Sequence, residues 1–189
     1  MQVSVRALGY ADAQRRLRNA GRRLEPVLRG TLNTTATKTR AERFVRPMKS
    51  TIKGKRLRQA LKIKRANTRR TQSRIIPSSS GVLISDYAKW GYDAIDATRG
   101  RIWVTGPNGK KVAAGFVNPS SAGRKPLITR TSKRGRSRTY TYGKKLQEAM
   151  GPSAAYWFKQ LSDRATINWT NAFLQKEFKR RVEIELRKS

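Results

Sequence analysis

Two stretches of this chain contain no acidic residue, Arg43 to Ser85 and Ala97 to Gln147, and together they make up about half of its 189 residues. A folded surface normally mixes both signs of charge, so that each cation has an anion within reach. Within these stretches that arrangement is closed off. Their Lys and Arg side chains cannot be buried unpaired, so they must line the outside of whatever forms and repel one another there. Over the whole chain 44 Lys and Arg stand against 11 Asp and Glu, a formal net charge of +33. Self-repulsion of this size destabilises a compact monomer until counter-charge is supplied. Nucleic-acid phosphates, acidic protein surfaces and an anionic membrane are the classes that can supply it. Charge that serves solubility alone is the bland alternative.

The length suits one domain, with or without an appended helical arm. Hydrophobic residues make up 37% of the chain, Tyr included, enough for a thin core. Some apolar surface is therefore expected to meet another chain. There is no Cys and no His. That removes disulfides, thiol nucleophiles, zinc sites of the usual ligand sets and imidazole acid–base chemistry, and it fits a reducing cytoplasm. The longest unbroken apolar run, Ala154-Ala155-Tyr156-Trp157-Phe158, is too short to span a membrane. The N-terminus lacks the apolar core of a secretory signal. Its Arg-rich composition imitates a mitochondrial presequence, against which Asp12 and Glu25 count.

Periodicity predicts an α+β fold with N-terminal helices, a central antiparallel sheet of β-hairpins and a long C-terminal helix. Residues 1–152 read as one α+β domain and 153–189 as a helical arm. Val3 and Val5 predict a short strand over residues 2–7, turning at Gly9. A helix from about Ala11 places Leu17, Leu24 and Leu28 on one face. Pro26 lacks a backbone donor and is expected in the first turn of a second helix. That helix is expected to run from about Val27 to Arg46, with Leu28, Leu32, Ala36, Phe44 and Met48 as apolar points, and to end at Pro47. Thr31, Thr34, Thr35, Thr37 and Thr39 weaken it, because branched side chains lose freedom in a helix.

Leu57, Ala60 and Leu61 mark a further helical face, and Leu61 to Ala66 alternates as a strand. Arg69-Arg70 sits at a turn and Arg74-Ile75-Ile76 returns. The centre is a hairpin: Arg101-Ile102-Trp103-Val104, a turn at Gly106-Pro107-Asn108-Gly109, and Lys111 to Val117. A second pair, Leu127–Thr131 with Arg138–Tyr142, brackets Lys133-Arg134-Gly135-Arg136. Trp103, Phe116, Tyr140 and Tyr142 are expected on the buried face of this sheet rather than as stacking platforms for bases. Ser153 is the expected N-cap of a helix reaching nearly to Leu186, with Phe158, Leu161, Ala165, Trp169, Ala172, Phe173, Phe178, Val182 and Leu186 as its stripe. At ~1.5 Å per residue it would be roughly 50 Å long. It is either an arm that touches neighbours in an assembly or a helix folded back across its own sheet.

No nucleophile–base pair stands out. Gly106 and Gly109 before Lys110-Lys111 lack the spacing, and the Ser or Thr, of a phosphate-binding loop. Asp86, Asp93 and Asp96 allow a nuclease-type Mg²⁺ site, but salt bridging to basic neighbours is the preferred reading. No catalytic, cofactor or metal site is therefore expected. The basic runs are the stronger signal. Lys53, Lys55, Arg56, Arg58, Lys62, Lys64, Arg65, Arg69, Arg70, Lys133, Arg134, Arg136 and Arg138 are the candidate contacts for a polyanion or an acidic partner. No helix-turn-helix, zinc-finger or RNP pattern accompanies them.

Several segments, taken in order, resemble a known family. They are Leu32-Asn33-Thr34-Thr35-Ala36-Thr37-Lys38-Thr39-Arg40, Leu61-Lys62-Ile63-Lys64-Arg65-Ala66, Arg74-Ile75, Val82-Leu83-Ile84, Ala114-Gly115-Phe116-Val117 and Gly151-Pro152-Ser153. Their order and spacing resemble the minor tail protein Z family of tailed bacteriophages, the tail completion proteins. The resemblance covers Leu32 to Ser153 and the layout of the terminal helices. The Lys133–Arg138 turn is elaborated beyond the family pattern, and the Ser- and Pro-rich loops depart from it. The resemblance implies a structural virion protein, not an enzyme, assembled in the host cytoplasm. It would form a hexameric or dodecameric ring at the head-proximal end of the tail, joining tail to head and sealing the DNA channel. Connector or adaptor, tail-terminator and tail-tube proteins are the implied partners, with DNA in the channel as a further contact. The alternative is a basic nucleic-acid-binding protein of ribosomal or DNA-packaging type.

Overall fold

The computed structural model describes residues 10–129, 131–133, 138–140 and 146–188, and for residues 10–20, 22, 23, 129, 131–133 and 138–140 it describes the backbone alone. The fold is α+β, with N-terminal helices, an antiparallel sheet built of hairpins and a long C-terminal helix. The strand expected over residues 2–7 and the turn at Gly9 lie outside the described residues.

The first helix, α1 (Tyr10–Thr39), runs straight through Pro26, so the expected break between two helices is absent. An internal proline costs a helix ~3 kcal/mol. Packing of the following residues, beginning at the buried Val27, offsets that cost. A π-helical turn (Arg40–Val45) follows, and then α2 (Arg46–Met48). Pro47 lies in the first turn of α2, where a missing donor is harmless, instead of ending the helix. α3 (Gly54–Ala60) passes directly into β1 (Leu61–Lys64), which pairs antiparallel with β2 (Arg74–Pro77) as expected.

β3 (Val82–Leu83) leads to a 3-10 turn (Ile84–Asp86) and the main sheet. That sheet contains β4 (Trp90–Ala94), β5 (Gly100–Gly106), β6 (Gly109–Val117), β7 (Leu127–Thr129) and β10 (Leu146–Glu148), in the order β10-β7-β6-β5-β4. β8 (Thr131–Lys133) and β9 (Arg138–Tyr140) form a separate ribbon, and β11 (Met150–Gly151) pairs with β3. The second expected hairpin is thus divided. β7 pairs with β10, Leu127 opposite Glu148, and not with the 138–140 strand. This pairing seats the buried Ala149, whose N–H donates to the Pro126 carbonyl and whose carbonyl accepts from Ile84.

Strand alternation in β5 turns Ile102 and Val104 inward, both fully buried. They meet Phe44, Met48, Ile52, Leu57, Leu61, Val82, Ile84, Tyr87 and Trp157 in one core. The Tyr87 hydroxyl donates to the Pro152 carbonyl and accepts from Trp157 Nε1 at 3.2 Å. Burial pushes its pKa up to about 12, against which the Trp157 bond works. At Gly106 the sheet runs close against the helix that carries Trp157: a Cβ there would lie 2.1 Å from the Trp157 ring.

Ser153 caps α4 (Ala154–Leu161), its Oγ accepting from the Tyr156 N–H at 3.2 Å. The expected single long helix is nonetheless two. It stops at Ser162, and Asp163 caps a new helix, α5 (Arg164–Leu186), accepting from the Thr166 N–H at 2.7 Å. α5 lies antiparallel along α1, so it neither stands free nor crosses the sheet. The expected stripe is met in part: Trp169, Phe173, Phe178 and Val182 are half-buried. Thr166 and Glu177 are buried while Ala165, Ala172 and Leu186 are exposed. On α1 the expected Ala36 is buried together with Val27, Thr31, Thr35 and Thr39, while Leu24 and Leu28 are about 40% exposed.

Candidate polyanion-binding surface

The hairpin of β1 and β2 is fastened to α1 by one side chain. Asn33 donates from Nδ2 to the Ala66 carbonyl at 3.1 Å and accepts from the Ala66 N–H at 2.8 Å. The turn beyond is closed by reciprocal bonds between Asn67 and Arg70. The hairpin therefore has a fixed position beside α3. Between them opens a cleft of about 870 Å³ lined by Arg40, Arg56, Arg58, Gln59, Lys62, Ser78 and Ser80 over Ile63, Ile76 and Pro77. Among the described residues no carboxylate lines it.

Arg40 enters from the π turn and donates to the Leu61 carbonyl at 3.2 Å. Arg56 has an acid nearby, the Asp86 carboxylate at 3.9 Å, a loose and partly exposed pair of small energetic weight. Arg58 and Lys62 have no hydrogen-bond or ion-pair partner among the described residues. Strand alternation places Lys62 and Lys64 on one face of the hairpin, and the register sets Ile76 opposite Lys62 and Arg74 opposite Lys64. All four are exposed. Arg74 is steadied by Gln72 Oε1, accepting from Nε at 3.0 Å and Nη2 at 2.8 Å.

Of the sequence candidates, Arg56, Arg58 and Lys62 meet in the cleft, and Lys64 continues its edge along the strand. Arg65 and Arg69 are exposed and Arg70 half-buried at the hairpin turn. Lys53 holds the N-cap position of α3, its Nζ donating to the Ser85 carbonyl, and Lys55 is exposed on α3 outside the cleft. Lys133 and Arg138 face one another as partners in the β8–β9 ribbon. Their side chains, and Arg134 and Arg136 altogether, lie outside the described residues. Arg40 and Arg74 were missing from the candidates. Arg74 was recoverable by pairing strands back from the turn at Arg69-Arg70. Arg40 was not, because an α-helical periodicity gives no sign of a π turn.

The three aspartates considered for a metal have separate partners. Asp86 lies near Arg56, and Asp93 accepts from Trp103 Nε1 at 3.1 Å. Asp96 accepts from the Thr98 N–H and from Arg99, bonds that hold its pKa down at about 2. Among the described residues no three such ligands converge. The expectation for the sheet aromatics needs correction. Trp103 sits between the inward Ile102 and Val104 and is therefore on the outer face, half-buried, with Lys110 Nζ 4.2 Å from its ring centroid. Phe116, opposite Arg101, is on that outer face too. The Tyr140 side chain and all of Tyr142 lie outside the described residues. Among the described residues no helix is long and apolar enough to cross a membrane. Compared with protein-family models, curated proteins and solved structures, the chain matches none.

Proposed function

We propose that the chain is a structural, non-enzymatic virion protein of a tailed phage, a tail completion or neck component. In this reading it forms a homo-oligomeric ring that joins the tail to the head connector and closes the DNA channel. The observation that carries the reading is an electrically unfinished surface: four cations in one cleft and more along the hairpin, answered among the described residues by a single acid at 3.9 Å. A surface of this kind suits a part that is completed by anionic neighbours in a larger particle. The order of segments from Leu32 to Ser153 directs the reading to the phage tail. Antibody against the purified chain, applied to virions of the phage that encodes it, should label the head–tail junction alone. Labelling spread evenly over the particle, or no labelling, overturns the reading. The second reading, a general nucleic-acid-binding protein, is favoured by the same cleft, and it predicts tight binding to nucleic acid with none to connector or tail proteins.

A further inference from the structure

The geometry points to the cleft between α3 and the β1–β2 hairpin as a binding site for the phosphodiester backbone of duplex nucleic acid, held without regard to base sequence. The inference rests on reading this surface as anion-facing and is independent of where the chain sits in a particle.

Four cations enter the cleft from three separate elements: Arg40 from the π turn, Arg56 and Arg58 from α3, and Lys62 from β1. The turn from α3 into β1, joined by Arg40 from the π turn, distinguishes this from a run of lysines on one helix. Arg40 is anchored by its bond to the Leu61 carbonyl, which leaves its other N–H groups to an outside acceptor. The three arginines present planar forks that match phosphate oxygens. Ser78 and Ser80 add hydroxyl donors of the kind that commonly reach phosphate and sugar. Lys64 and Arg74 prolong the positive edge, with Lys62 and Lys64 roughly 7 Å apart along the strand.

The shape and lining select among anions. A concave cleft takes a ridge, and a nucleic-acid backbone is a ridge of regularly spaced charge. An acidic protein surface would need an apolar centre to bind tightly. Among the described residues the one large apolar side chain exposed beside the cations is Ile76, at 46%. Among the described residues no aromatic lines the cleft, so none of them stacks there on the bases of a single strand. α3 has seven residues and ends at β1, so it does not offer a recognition helix to a groove. What remains is backbone contact, which positions a duplex and carries no sequence information.

The test measures fluorescence anisotropy of a mixed-sequence duplex of about 20 base pairs, titrated with the full-length chain over a series of salt concentrations. Two charge-matched variants are compared: Arg40→Gln/Arg56→Gln/Arg58→Gln/Lys62→Gln in the cleft, and Lys125→Gln/Lys159→Gln/Lys176→Gln/Lys179→Gln at exposed positions elsewhere. The cleft variant should lower the slope of log K against log salt by roughly 3–4 and bind at least about tenfold more weakly near physiological salt. The control should change affinity by less than about threefold, and single-stranded DNA of the same sequence should bind no more tightly than the duplex. Lys62→Gln alone, an exposed strand position, guards against a folding defect and should lower the slope by ~0.9. Equal losses in both quadruple variants overturn the site. Polyglutamate of equal charge binding more tightly than the duplex, and losing that affinity in the cleft variant, overturns it in favour of an acidic protein. A chain that binds duplex through the cleft but is absent from virions would reject the phage role and leave the site intact.

Discussion

Tyr87 joins three parts of the chain through one hydroxyl. Its ring fills the core, its O–H donates to Pro152 just before the α4 cap, and it accepts from the indole of Trp157 within α4. Tyr87→Phe keeps the ring and leaves a carbonyl and an indole N–H without partners, at about 1–3 kcal/mol. At this chain length the melting temperature should fall by roughly 2–4 °C per kcal/mol, which calorimetry reads directly; an unchanged melting temperature would show that the bonds are replaced by solvent. Asn33 has the same bridging role for the hairpin. Asn33→Ala removes both bonds to Ala66 and should destabilise by about 1–3 kcal/mol. Amide exchange at Ala66 and Arg70 should quicken more than exchange in β5. Neither role was legible beforehand. Each acts on a residue more than thirty positions away, beyond the reach of any local pattern.

At the scale of elements, the seam between α1 and α5 carries polar contacts that the expected apolar stripe did not include. Thr39 and Thr170 hydroxyls meet at 3.3 Å, Arg43 donates to Thr166 Oγ1, and Arg181 donates to Thr34 Oγ1 at 2.9 Å. Two of the threonines that weaken α1 as an isolated helix, Thr34 and Thr39, bond across the seam, while the buried Thr31 bonds back to the Val27 carbonyl. Glu177 is the charged centre of the seam, 8% exposed and bonded to Arg180 and Arg181. The Arg180 bonds, with those from Arg181, hold its pKa down at about 2 against the opposing effect of burial. A carboxyl whose folded pKa is depressed stabilises the fold above its unfolded value, ~4.3, and loses that contribution as pH falls through the folded value. Acid unfolding should therefore steepen between about pH 4 and pH 2. Glu177→Gln should flatten that limb and lower stability at neutral pH by about 1–3 kcal/mol. An acid limb identical to that of the parent would remove Glu177 from the account.

For the molecule as a whole, the net charge of +33 sets the solution behaviour. Screening shortens the reach of repulsion to about 10 Å at 0.1 M salt and 3 Å at 1 M. The melting temperature should therefore rise as salt is added from low concentration, the reverse of what a protein held by surface ion pairs would do. Duplex DNA at low salt should raise it further by binding the folded state. A melting temperature that falls with salt would mean that repulsion does not limit stability.

The amino-acid sequence alone determined the features that depend on neighbours a few residues apart. These are the α+β class, the β1–β2 and β5–β6 hairpins, the turn from Gly106 to Gly109, the Ser153 cap and the basic character of residues 53–70. Alternation, turn chemistry and capping are local, so they can be read in one dimension. The tertiary structure decided the rest: the passage of α1 through Pro26, the pairing of β7 with β10, the laying of α5 on α1, and the meeting of Arg40 with Arg56, Arg58 and Lys62. Each of these is settled by packing and hydrogen bonds between segments far apart in the chain, whose free energy outweighs the local preferences that point elsewhere.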